Sequence, residues 1–207
     1  MKGKTLLIFG GLGTAVMALL YSRTSRAASS WPSLGTEDPE PEDPQAASRE
    51  PRAYLSTSER DERFGPLVWS HSPSVTNPER VVVVNSFASD NLVRRTYPEL
   101  PSNPTIDIHR DAAEPLARVL EDLEERGLLG LIRTYDGVYN PRLVRGSTTN
   151  LSSHAYGTSI DLNARENPLG SPPTPDQRRL AEVFERHGWY WGDRFSRRDP
   201  MHFEWIG

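Results

Sequence analysis

Two stretches decide the fold: Ser152-Ser-His-Ala-Tyr-Gly-Thr-Ser-Ile-Asp-Leu-Asn163 and Met201-His-Phe-Glu-Trp-Ile206. In the second half of the first, Ile160 and Leu162 fall on one face while Ser159, Asp161 and Asn163 fall on the other. In the second stretch Met201, Phe203 and Trp205 face one way, and His202 and Glu204 face the other. Alternation with period two marks a strand with one buried face. If both strands belong to one sheet, Asp161 and His202 project into a common groove.

Further elements follow on either side. Val81-Val-Val-Val84 is a β-branched run with strand character. From Asp111 to Arg126, Leu116, Val119, Leu120 and Leu123 recur at helical spacing and Gly127 follows as a stop. A second helix has Thr174 as N-cap, Pro175 in the first turn and Gln177 three residues on. Its apolar stripe is Leu180, Val183 and Phe184, and Gly188 closes it. Helices and strands mix without a regular βα repeat. The expected class is therefore α+β: one small domain over 54–207, with a central, mostly antiparallel sheet flanked by helices.

The rest of the chain is of a different kind. Lys2 and Lys4 precede an apolar run from Thr5 to Tyr21, and small residues such as Ser25 and Ala27 follow. Residues 1–27 thus suit an export signal or a retained N-terminal membrane anchor, and the protein is expected in the cell envelope or outside the cell. Residues 28–53 are acidic and proline-rich, as in Thr36-Glu-Asp-Pro-Glu-Pro-Glu-Asp-Pro44. Such a segment has almost nothing to bury and reads as a disordered tether. The net charge of -4 gives no electrostatic case for nucleic acid. The chain has no cysteine, which removes disulfides, thiol nucleophiles and cysteine-rich zinc sites together.

Any metal is left to histidine and carboxylate. A catalytic zinc site has three such ligands, an open position, and a general base within reach of the water. His154 and Asp161 offer two ligands seven positions apart, with His154 expected on the loop entering the strand and Gly157 permitting the tight turn between them. Asp199-Pro-Met-His202 offers the third ligand in His202 and the base in Asp199. Pro200 keeps Asp199 in the turn before the strand, so its carboxylate can fold back towards the metal. His71, His109 and His187 stand outside both patterns and are read as non-ligands, His187 as a charge at a helix C-terminus. Ser152 has no base arranged for it and is read as support or substrate contact, not as a nucleophile. Glu204 orients a ligand, contacts substrate or lies at the surface.

These residues resemble peptidase family M15, the D-alanyl-D-alanine carboxypeptidases and the related L-alanyl-D-glutamate endopeptidases. The family pattern Ser-x-His-x-x-Gly-x-Ala-x-Asp is met by Ser152, His154, Gly157 and Asp161, with Ser159 in place of the usual alanine. Asp199-Pro-Met-His202 is similar to the family's second half, an acidic residue three positions before histidine. Tyr135-Asp-Gly-Val-Tyr-Asn-Pro-Arg142 is similar to flanking sequence, and Arg142 matches a family arginine that binds substrate. The resemblance covers roughly Leu116 to Trp205; Tyr54 to about Asn103 has no counterpart in it. It implies a small α+β domain, Zn2+ as cofactor, and peptidoglycan stem peptides as substrate. Carboxypeptidase and endopeptidase action both stay open, since Arg142 serves either. The alternative, from a different class, is a zinc-containing envelope binding module without turnover.

Overall fold

The computed structural model describes residues 55–207. The expected signal or anchor and the linker lie outside them. Among the described residues no helix is long and apolar enough to cross a membrane.

The class is α+β, with five α-helices and only antiparallel strand pairings among the described residues. The expectation of one central sheet needs correction, because the strands form three. A four-stranded sheet has the order β5-β6-β8-β7: Tyr135–Gly137, Ser159–Leu162, His202–Trp205 and Trp189–Trp191. Two separate two-stranded sheets precede it, β1 (Trp69–His71) with β2 (Val81–Val83), and β3 (Leu92–Thr96) with β4 (Thr105–His109). Each joins strands adjacent in sequence, so pairing is satisfied locally and the strands need not enter the larger sheet.

The two helices read from periodicity are present. Helix α3 (Arg110–Glu125) buries Leu116, Val119, Leu120 and Leu123, and Gly127 follows at a φ of 66°. Helix α5 (Pro175–Arg186) is capped by the Thr174 side chain, which accepts from the Gln177 N–H at 3.2 Å. Both helices pack on one face of the large sheet with Ile160, Leu162, Trp189, Trp191 and Phe203. There Phe184 stacks on Phe203 with ring centroids 4.1 Å apart.

A second, smaller core lies elsewhere. It joins Phe64 of α1 (Thr57–Phe64), Val81, Phe87 of α2 (Phe87–Asn91), Leu143, Leu151, Ala155 and Tyr156. Helix α1 has a full capping box, with the Ser56 side chain accepting from the Glu59 N–H and Glu59 reaching back to the Ser56 N–H. Because α1 belongs to this second core, the polar face of β8 is covered by protein, and His202 and Glu204 are both buried.

Candidate metal centre

In the register between β6 and β8, Asp161 stands directly opposite His202 and Ile160 opposite Phe203. Directly opposed residues share a face. The apolar pair therefore enters the core and the polar pair enters the site, as the alternation in sequence requires.

His154 reaches the same point from another element. It lies on α4 (Ser153–Tyr156), a single helical turn, and not on the loop expected from sequence. Four residues are too few for a helical period to show. Ser152 is the N-cap of that turn: its Oγ accepts from the His154 N–H at 3.3 Å. Gly157 ends the turn at a φ of 69°, and a Cβ there would lie 3.1 Å from the His109 backbone nitrogen. Glycine thus allows both the reversal into β6 and the close approach of the α3 start.

Three ligand atoms converge. His154 Nε2 is 3.1 Å from Asp161 Oδ2 and 3.2 Å from His202 Nδ1, and His202 Nδ1 is 2.9 Å from Asp161 Oδ1. Ligand atoms about 2.0–2.1 Å from one tetrahedral ion stand about 3.3 Å apart, so the group is close to the size an ion requires. The outward nitrogens are also fixed. His154 Nδ1 donates to the Val138 carbonyl at 2.7 Å, which leaves Nε2 as the lone-pair donor. His202 Nε2 lies 3.2 Å from Ser153 Oγ and 3.6 Å from Glu204 Oε2, which leaves Nδ1 facing inward. Two histidines and a carboxylate, held by such partners, suit zinc or a divalent ion of similar preference.

The charges agree with this picture. Burial alone would raise the Asp161 carboxyl, but His154 and His202 together hold it well below the usual carboxylate range. Burial likewise opposes charge on His202, yet the Asp161 and Glu204 carboxylates pull its pKa up to about 10.

Asp199 sits in the turn before β8, where its carbonyl accepts from the His202 N–H at 3.1 Å. It shares a cavity wall with His202, Ser152 and Arg142. Its Oδ1 is buried without a hydrogen-bond partner, and burial pushes its carboxyl above the usual range. The turn is seated on Gly192: a Cβ there would fall 2.4 Å from the Asp199 carbonyl oxygen. Arg142 lies in the loop before α4 and lines the cavity, its carbonyl accepting from the Ser152 N–H at 3.0 Å and its Nη1 donating to the Leu143 carbonyl at 3.2 Å.

All six residues singled out in the sequence are therefore brought to one place. The surface alternative for Glu204 is overturned, because that carboxylate is 2% exposed. Ser153, the direct partner of His202, was not read from the sequence, since nothing distinguishes it from its neighbour Ser152. Two of the other described histidines are engaged elsewhere. His109 donates to the Phe64 carbonyl at 3.0 Å while its other nitrogen caps α3, and His187 pairs with Asp122 at 3.0 Å beside the end of α5.

Residues 145–205 match the family model of D-alanyl-D-alanine carboxypeptidase. The matched segment is less than a third of the 207 residues, but it contains His154, Asp161, Asp199 and His202. Over that segment the resemblance read from the sequence is borne out. Arg142 and everything before it lie outside. No curated protein and no solved structure matches the chain.

Proposed function

We propose that this protein is a zinc-dependent peptidase that hydrolyses the peptide stems of bacterial peptidoglycan. The observation that carries the reading is the pairing of three converging ligand atoms with the half-buried Asp199 carboxylate, whose Oδ1 is buried and unpartnered, beside them on the cavity wall. His154, Asp161 and His202 would hold the ion, which when bound supplies Lewis acidity to the scissile carbonyl and makes a water more acidic. Asp199 takes the proton of the attacking water as its oxygen bonds to the carbonyl carbon. It then returns that proton to the leaving amine as the C–N bond breaks. A binding module without turnover has no use for an acceptor kept buried and free at that place.

The cavity also favours an anionic substrate. Arg142, Arg145 and Arg197 line it beside Asp199, and none of the three is ion-paired among the described residues. A guanidinium fork suits a carboxylate or a developing oxyanion. Stem peptides carry such carboxylates, at the chain end for a carboxypeptidase and along the stem for an endopeptidase. An envelope location, by export or by an anchor over residues 5–21, would bring the domain to that substrate.

The test is incubation of the full chain with purified stem peptides, with and without a chelator, beside Asp199→Ala, with products read by mass spectrometry. Chelator-sensitive cleavage that disappears in the variant is expected, and the fragment masses name the bond. Cleavage that survives both treatments would refute the mechanism.

A further inference from the structure

Helix α1 lies far outside the matched segment, yet three residues on one side of it grip the segment that carries His154. Positions 57, 60 and 61 are spaced to share a helix face. Thr57 Oγ1 accepts from the Leu151 N–H at 3.1 Å. Asp61 Oδ1 accepts from the Tyr156 hydroxyl at 2.7 Å. Between them Arg60 is 1% exposed, and its Nη1 donates to the Leu151 carbonyl at 3.1 Å.

The other arm of Arg60 reaches the second ligand strand. Its Nη2 is 3.0 Å from Glu204 Oε1, and the second oxygen of that carboxylate is 3.6 Å from His202 Nε2. That longer separation is an ion-pair distance and not a hydrogen bond. The direct partner of His202 Nε2 is Ser153 Oγ at 3.2 Å, in the turn that Leu151 leads into. One guanidinium thus touches both sides of the metal group: β8 through Glu204, and the entry to α4 through Leu151.

Burying a guanidinium is costly unless it is paired, and Arg60 Nε has no partner at all. A helix that needed only to pack could have placed an apolar residue there, as it does at Phe64. We propose that Arg60 is a positioning residue of the metal centre, holding Glu204 so that the His202 ring presents Nδ1 to the ion. On this view Arg60 supports the site, although α1 supplies none of the three converging ligand atoms. The proposal rests on the metal-site reading above. Without Arg60 nothing pairs the buried Glu204 carboxylate at 3.0 Å, so it turns away from its place beside His202 and leaves the ring with Ser153 Oγ as its one outward contact.

The experiment measures zinc affinity of the metal-free full chain by competition with a chromogenic chelator, so that no turnover is involved. Arg60→Met, Glu204→Gln and the double variant are compared with the unaltered protein, with thermal midpoints recorded alongside. Loss of such an outer partner typically weakens metal binding by about 10–100-fold. Each single variant is expected in that range, and the double variant no weaker than the worse single one, because Arg60 acts through Glu204. Thr57→Val, which loosens α1 without touching Glu204, is expected to lower the thermal midpoint and leave zinc affinity within about threefold. Zinc affinity that tracks thermal midpoint equally in Thr57→Val and Arg60→Met would make Arg60 merely structural and overturn the proposal. So would unchanged affinity in Glu204→Gln, which decides the matter if Arg60→Met does not fold. Failure of the unaltered chain to bind zinc would instead sink the metal-site reading itself.

Discussion

Asp199 combines two properties that pull against each other. Its Oδ1 is buried with no partner, and burial raises its carboxyl pKa above the usual range. The folded chain therefore holds this proton more tightly than the unfolded chain does. In the metal-free protein its contribution to stability is present below the ordinary aspartate range and is lost as pH rises through the raised value. Asp199→Asn removes that penalty. It is expected to raise the thermal midpoint of the metal-free protein at neutral pH while lowering turnover at least about a hundredfold. Calorimetry across pH and a stem-peptide assay check the two halves; a variant less stable than the parent at every pH would contradict the account. Ser159 presents a simpler case, since its Oγ is also buried and unpartnered. Ser159→Ala, which restores the alanine usual in the resembled family, is expected to stabilise the fold by about 1 kcal/mol in denaturant titration, with zinc affinity unchanged.

The elements differ in how plainly the sequence announces them. Strands β6 and β8 are legible because period-two alternation is a direct consequence of the pleat, and it places Asp161 and His202 together before any coordinate is known. Helices α3 and α5 are legible from their stripes and, for α5, from the Thr174 cap. The turn α4 is not, for one helical turn has no period to detect, although Gly157 marks where it ends. The turn carrying Asp199 depends on a residue of another segment. Gly192 accepts the Asp199 N–H at 2.9 Å, and the space its Cβ would occupy is filled by the Asp199 backbone. Gly192→Ala must push that turn outward. Misplacement of a catalytic group by about 1 Å can cost about a hundredfold in rate. The variant is expected to lose about that factor in kcat, with a smaller fall in zinc affinity, because the added Cβ overlaps the Asp199 backbone at 2.4 Å but approaches the His202 Cβ only to 3.0 Å. Steady-state kinetics with zinc titration would read the difference, and wild-type kcat would show that the turn does not need the glycine.

At the scale of the whole molecule, the ligand set is compact in sequence while its support is not. The proposed ligands and base fall within 154–202, inside the segment that matches a known family. Beyond the direct partners Val138 and Ser153, their surroundings are tied to Arg60, whose partners Leu151 and Glu204 lie 91 and 144 positions away. Such pairings leave no mark in local pattern, which is why the region before about Asn103 was opaque as sequence. Even the capping box at Ser56–Glu59 announces only that a helix starts, not what it will grip. The surface alternative for Glu204 had the same cause, since alternation tells which face a residue takes but not what covers that face. On the proposed reading three residues hold one ion and a fourth, adjacent carboxylate does not. Bound zinc per chain after equilibrium dialysis decides this, in the unaltered protein and in His154→Ala, His202→Ala and Asp199→Ala. One ion per chain in the parent and in Asp199→Ala, with loss in both histidine variants, is the predicted result. Loss of the ion in Asp199→Ala as well would mean a closed four-ligand structural site, and would contradict the account.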